Sequence, residues 1–414
     1  MVLVVGCGIT AAGAAGAAGA AGAGAADATA AGAAGGGAGA HPGGGPASPA
    51  AFYRTSGPLP PAPPGAIVRS VVIPSAGLLP GGATAYRVLY HSQSIAGVDI
   101  AVSGVVVVPG GTPPPGGFPI VAWAHGTTGL SDQCAPSLGG FASIPSLTAF
   151  LDRGMIVAAT DYEGLGTPGI HPYLVGQSEA QSVLDSARAA RNLAGVTASN
   201  QVAVVGYSQG GQAALFAAQI AAAYSPELFV AGAVAAAPVT SLDEFVPAKP
   251  SSEHDPDAVY ALMALDAWSR AYGNLPLSSV LTASTVRQAP AIATRCIDAL
   301  AATYDTAGAG RLFRSGWESE PVLRTDVERN RPGQAPTSTP VLVVEGTKDQ
   351  VTPYRVVTDF VAADLCRSQH DTVQYDSFAG TDHGGVFATA APQILRWVTQ
   401  RLSGAAPPDT CEVR

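Results

Sequence analysis

From residue 66 onward the chain alternates short apolar runs with longer stretches in which apolar residues recur at helical spacing. Residues 66–73, 85–92 and 102–108 are rich in β-branched and aromatic side chains and lie close together, as the strands of an antiparallel sheet do. Residues 118–124, 155–159, 202–205, 230–235 and 341–345 differ, being apolar almost without a break, which suits parallel strands covered on both faces. A further strand is expected over 372–378. Amphipathic segments such as 178–193 separate these runs, so the pattern predicts an α/β fold, a mainly parallel central sheet with helices on both faces. The alternation stops after Pro238. Residues 240–336 carry helical patterns such as 258–272 and no buried strand, and so long a segment between two strands must pack somewhere. An inserted helical cap above the carboxyl ends of the strands is the expected arrangement, with ordinary surface helices as its alternative.

Residues 1–50 are almost wholly alanine and glycine without a period, too poor in large side chains to form a core, and predict a disordered tail. That run lacks leucine, isoleucine and phenylalanine over most of its length and is a poor transmembrane helix. A proline-rich stretch over 51–65 leads into the fold. The expected organisation is therefore a tail (1–50), a core in two parts (51–239 and 337–414) and a helical cap between them (240–336).

Composition narrows the setting. With 47% hydrophobic and 12% charged residues over 414 positions, the chain can bury a large core and suits an extracellular or envelope location. A net charge of −9, with lysines and arginines scattered, offers no footprint for a nucleic-acid backbone, which excludes that partner. Of the five cysteines, Cys7 stands alone. Val5-Gly6-Cys7 is similar to the end of a lipoprotein export signal, although no basic segment precedes it, and a chance match in a biased tail is the alternative. Cys134, Cys296, Cys366 and Cys411 form an even set without the C-x-x-C spacing of a zinc site, so two disulfides are expected. The sequence leaves their pairing open among three possibilities, and buried free thiols are the other reading.

Chemistry concentrates where the run 202–205 meets Gly206-Tyr207-Ser208-Gln209-Gly210-Gly211 and a proline-free, alanine-rich helical stretch follows. A bare G-x-S-x-G is a weak signal in a chain with 50 glycines, but strand, corner and helix in order form the turn that exposes a serine nucleophile. Such a serine needs a base and an acid on later loops at the same edge of the sheet. Asp349 follows the strand 341–345, and His383 follows the strand 372–378, which makes them the expected acid and base. Glu345 is a weaker substitute for the acid, Asp359 and Asp364 fall in the next helix, and His370 lies at the far end of the last strand. Two backbone N–H groups must receive the oxyanion: that of Gln209, after the nucleophile, and one from the loop Trp123-Ala124-His125-Gly126-Thr127-Thr128-Gly129. Thr127 is the preferred second donor, then Gly126, while His125 is expected to hold the loop. Asp161 and Glu163, in a loop at the same edge, could line the pocket, although turn-forming structural residues are the commoner reading.

Taken together, His125-Gly126-Thr127-Thr128-Gly129, Asp161-Tyr162-Glu163-Gly164-Leu165-Gly166, His171-Pro172-Tyr173, the elbow at Ser208, Gly346-Thr347-Lys348-Asp349 and Asp382-His383-Gly384 resemble the secretory lipase family, the lipase A type of α/β-hydrolase. The likeness spans about residues 51–411. Asp161-Tyr162-Glu163-Gly164 with Cys134-Ala135-Pro136-Ser137 makes it much more specific than the elbow alone, although the loop before Cys134 is longer than in the fungal members. The resemblance implies a secreted or envelope-attached enzyme that hydrolyses acylglycerols or simpler carboxylic esters, a lid over 240–336 covering an acyl tunnel, and disulfides Cys134 to Cys296 and Cys366 to Cys411. Peripheral contact with a lipid surface goes with such substrates. An acyltransferase using the same three side chains, and a non-catalytic protein of this fold that binds lipid or an envelope partner, are the competing functions. No metal, nucleotide or flavin motif occurs, so no cofactor is expected, and the sequence does not speak to oligomeric state.

Overall fold

A computed structural model describes residues 49–55, 57–75, 77–241, 258–304 and 309–411. The expectations for the alanine-glycine tail and for Cys7 lie outside these residues.

Nine strands form one sheet in the order β1-β2-β3-β5-β4-β6-β7-β8-β9. They are β1 (Ile67–Ile73), β2 (Thr84–Gln93), β3 (Asp99–Val108), β4 (Phe118–Ala124), β5 (Ile156–Thr160), β6 (Ala198–Tyr207), β7 (Phe229–Ala236), β8 (Val341–Gly346) and β9 (Val373–Phe378). β1, β2 and β3 are antiparallel and β3 pairs antiparallel with β5, whereas every pair from β5 and β4 through to β8 and β9 is parallel. The first three strands therefore extend the parallel sheet rather than forming a separate one. Uninterrupted apolar sequence and two-sided burial go together: every residue of β5 and β8 is buried.

Alternate side chains of a strand face opposite ways, and β6 shows the result. Val202 and Val204 enter the core beneath the helices α3 (Gly176–Asn192) and α4 (Gln209–Tyr224), after the short α1 (Pro49–Phe52) and α2 (Leu147–Leu151). Ala203 and Val205 enter the opposite core with Phe150 of α2 and Phe387 and Trp397 of the last helix, His383–Leu402. Both faces of the sheet are thus covered.

Between β7 and β8 the described residues are helical: α5 (Ala258–Tyr272), α6 (Leu277–Val280), α7 (Ala283–Ile292), α8 (Ile297–Tyr304), α9 (Ala309–Leu312) and α10 (Pro321–Arg329). They build a third apolar cluster around Trp268, Leu262 and Phe313, joined by Tyr173 and Leu174 of the segment before α3. After β8, α11 (Tyr354–Phe360) runs into a π-helical stretch, Val361–Ser368. The closing helix α12 spans His383–Leu402. The pair Gly384-Gly385 reads as loop, but the Asp382 side chain accepts from the N–H of Gly385 at 2.9 Å and caps the first turn there. No described helix is long and apolar enough to cross a membrane.

Both disulfides are present as the resemblance implies. Cys134 bonds Cys296, tying the segment after β4 to the helical insertion, and Cys366 bonds Cys411, tying the π-helical stretch to the C-terminal segment.

Candidate active site

Ser208 sits between β6 and α4 with φ 56° and ψ −118°, a conformation that an L-residue adopts only when its surroundings enforce it. Its N–H donates to Ala236 O at 2.9 Å, and its own carbonyl accepts from Gly211 N at 2.8 Å. The flanking glycines leave the clearance the corner needs. A Cβ on Gly206 would stand 1.8 Å from the Gly210 carbonyl oxygen, and one on Gly210 would stand 2.0 Å from that of Ala124. The strand-to-helix crossing is therefore closed to any larger residue at these two positions.

Ser208, Asp349 and His383, each at the carboxyl end of a different parallel strand, are brought together. His383 Nε2 lies 3.0 Å from Ser208 Oγ, and Asp349 Oδ2 lies 2.7 Å from His383 Nδ1. His383 occupies the first position of α12 rather than a free loop, and Tyr207 OH donates to its carbonyl at 2.9 Å. Asp349 is fixed from all sides: its Oδ1 accepts from the N–H groups of Val351 and Thr352, both at 2.9 Å. The Thr352 hydroxyl stands 3.1 Å from its Oδ2 and 3.3 Å from His383 Nδ1. Burial alone would raise the Asp349 carboxyl, but the hydrogen bond and charge of His383 and the Thr352 N–H outweigh it and hold the group below its ordinary value. Glu345 is buried at the end of β8, where its Oε1 accepts from Gly346 N, and its carboxyl hydrogen-bonds Asp349. Asp364 pairs with Arg331 away from these groups.

Gln209 is the first residue of α4, so its N–H has no acceptor within the helix. Gly126 and Thr127 lie in the loop after β4, which hydrogen bonds hold on two sides. His125 Nδ1 lies 2.6 Å from Gly126 O, and Tyr162 OH donates to His125 O at 2.9 Å. Burial pushes the His125 imidazole below its ordinary value, which leaves it neutral. The Thr127 hydroxyl meets Tyr173 OH at 2.8 Å. Asp161 turns inward, as a structural residue does: it is buried, accepts from Ser103 Oγ at 2.6 Å and Ser137 N at 2.8 Å, and also bonds Ser137 Oγ.

Three contributors carry no motif and were not singled out from the sequence: Thr352, Glu179 and Trp268. Glu179, in the first turn of α3, accepts from Gln209 Nε2 at 2.8 Å, and Trp268 of α5 donates to Tyr173 O at 3.0 Å. Only tertiary contact reveals them. Among the described residues no group of three or more His, Cys, Asp or Glu is placed to hold a metal ion.

Residues 142–410 match the family model described as "Secretory lipase". A probable inactive lipase of Mycobacterium tuberculosis is 26% identical over 364 residues, which span 82% of this chain and 79% of that protein. Lipase A of Arthroderma benhamiae is 25% identical over 354 residues, or 80% of this chain and 73% of that one. The structure of Candida antarctica lipase A in its closed state superposes with a TM-score of 0.71 over 84% of both chains at 19% identity, a likeness of fold.

Proposed function

The chain belongs to the secretory lipase family, and from that premise we propose that it is a secreted lipase or carboxylesterase acting on acylglycerols or simpler carboxylic esters through an acyl-enzyme on Ser208. The observation that carries the reading is the unbroken relay Asp349–His383–Ser208, with links of 2.7 and 3.0 Å. Neutral His383 takes the Ser208 proton as Oγ adds to the ester carbonyl. The Asp349 carboxylate fixes the tautomer with the proton on Nδ1 and stabilises the imidazolium that forms. The carbonyl oxygen becomes an oxyanion, received by the N–H of Gln209 and that of Thr127, with Gly126 the next candidate for the second donor. Collapse of this intermediate expels the alcohol, protonated by His383. Water, activated by the same imidazole, then attacks the acyl-enzyme and releases the acid.

In this reading residues 240–336 are a lid over the site, a role supported by their separate apolar cluster around Trp268 and by the bond from Trp268 to Tyr173. One relative is named a probable inactive lipase, so turnover itself is the decisive measurement. Wild-type protein should hydrolyse p-nitrophenyl esters, and Ser208→Ala should lose about 10⁴-fold or more in kcat. Equal rates for the two would dispose of the assignment. Product analysis with a competing alcohol separates hydrolysis from acyl transfer.

A further inference from the structure

Acidic side chains in the first turn of a helix ordinarily face solvent, where they complement the exposed N–H groups. Glu179 does not: it is fully buried, as is Gln209, and His171 beside them is nearly so. Glu179 Oε1 accepts two hydrogen bonds at once, from Gln209 Nε2 at 2.8 Å and from the backbone N–H of Leu174 at 2.8 Å. The other amide hydrogen of Gln209 reaches His171 Nε2 at 3.0 Å, while His171 Nδ1 donates to Glu163 O at 2.9 Å, which assigns the neutral tautomer. Leu174 has φ 56°, so its bond to Glu179 holds a strained residue in place. Beside it stands Tyr173, whose hydroxyl meets that of Thr127 at 2.8 Å.

One carboxyl group thus sits where two chains of contacts meet. The first runs through the Gln209 side chain to the backbone just after the nucleophile. The second runs through Leu174 and Tyr173 to the loop after β4. We propose that Glu179 is a positioning residue that holds both donors of the oxyanion hole at once, Gln209 through its side-chain amide and Thr127 through Leu174 and Tyr173. This rests on the assignment of Gln209 and Thr127 as oxyanion donors made above. Donors set in advance where charge will develop are what such a site requires, and a displacement of an ångström is enough to forfeit much of their effect. Taking the acceptor away would also leave two buried N–H groups unpaired, so the cluster must rearrange.

Burial pushes the Glu179 carboxyl up to about 8, against the opposing pull of the bonds from Gln209 and Leu174. At neutral pH it is therefore mostly protonated and offers a carbonyl-type acceptor. Glutamine offers the same. The test compares wild type with Glu179→Ala, Glu179→Gln and Gln209→Leu. It measures kcat and KM for a p-nitrophenyl ester, melting temperature, and the inhibition constant of a trifluoromethyl ketone, whose Ser208 adduct is a tetrahedral oxyanion. Glu179→Ala and Gln209→Leu should each lower kcat about 10²-fold and weaken ketone binding in parallel, with KM within about threefold of wild type. Glu179→Gln should recover most of both losses. Should Glu179→Ala fail to fold, Gln209→Leu carries the same comparison. Either variant, folded and with wild-type kcat and ketone affinity, would overturn the proposal. Failure of the underlying donor assignment reads differently. Gln209→Pro removes the N–H at the first position of α4, while proline also constrains the Ser208 backbone before it, and it should be at least about tenfold slower than Gln209→Leu. If it is no slower, the donor assignment falls and the positioning role falls with it.

Discussion

At Ser208 the backbone holds a conformation of positive φ that the chain maintains by crowding, and the crowding is measurable at Gly210. A methyl group there would meet the carbonyl of Ala124 at 2.0 Å, so Gly210→Ala must push the end of β4 away from α4. Because the loop carrying Gly126 and Thr127 begins at that point, the displacement reaches the proposed oxyanion donors. Kinetics and thermal melting of Gly210→Ala should show a kcat loss of about 10²-fold together with a lower melting temperature. A variant of wild-type activity would mean that the corner has slack. The residues of this site that could be read from sequence share one property: each follows its own strand, so topology alone places Ser208, Asp349 and His383 at one edge. Thr352 and Glu179 have no such address. Glu179 meets Gln209 across 30 positions, and Thr352 joins a local contact with Asp349 to one across 31 positions with His383, so no local pattern encodes either role in full.

At the scale of elements, strand identity follows from unbroken apolar runs, and helix boundaries follow less well because capping chemistry overrides composition, as at Asp382. A link between the helical insertion and the loop after β4 was implied only by the family resemblance, as a disulfide. In the structure it is broader: Gly129 and Cys296 form an antiparallel bridge, and Ile297 N donates to Thr128 O at 2.9 Å beside the Cys134–Cys296 bond. Thr128 directly follows Thr127. Cys296→Ser should therefore lower both melting temperature and kcat, the first through release of a long loop worth up to about 4 kcal/mol. Cys411→Ser opens a bond remote from Ser208 and should lower the melting temperature while sparing kcat. Matching losses of kcat in the two variants would show that the first disulfide has no privileged connection to the site.

Across the whole molecule, ionisable groups buried without a counter-charge set how stability varies with pH. Glu179 rises from 4.5 to about 8 and Glu163 to about 7, both chiefly through burial. Between the ordinary and the raised value the folded state holds a proton that the unfolded chain has lost, so stability falls as pH rises through that window. His171 moves the other way, from 6.5 to about 3, again through burial. There the unfolded chain holds the extra proton, and stability is lost as pH falls below 6.5. Melting temperature should decline on both sides, and over pH 7 to 8 the decline belongs to Glu179. Glu179→Gln should flatten that limb. If its profile overlies that of wild type from pH 6.5 to 9, the buried carboxyl is not protonated in the folded protein.

The order of strands in the sheet has a consequence for the timing of activity. The proposed nucleophile is carried by a central strand, whereas its proposed base rides on the helix that follows an edge strand, 175 positions later in the chain. A growing polypeptide holds Ser208 before His383 exists, so on the proposed relay an ester that meets it then finds an inert hydroxyl. The proposed reactivity then switches on only when α12 docks.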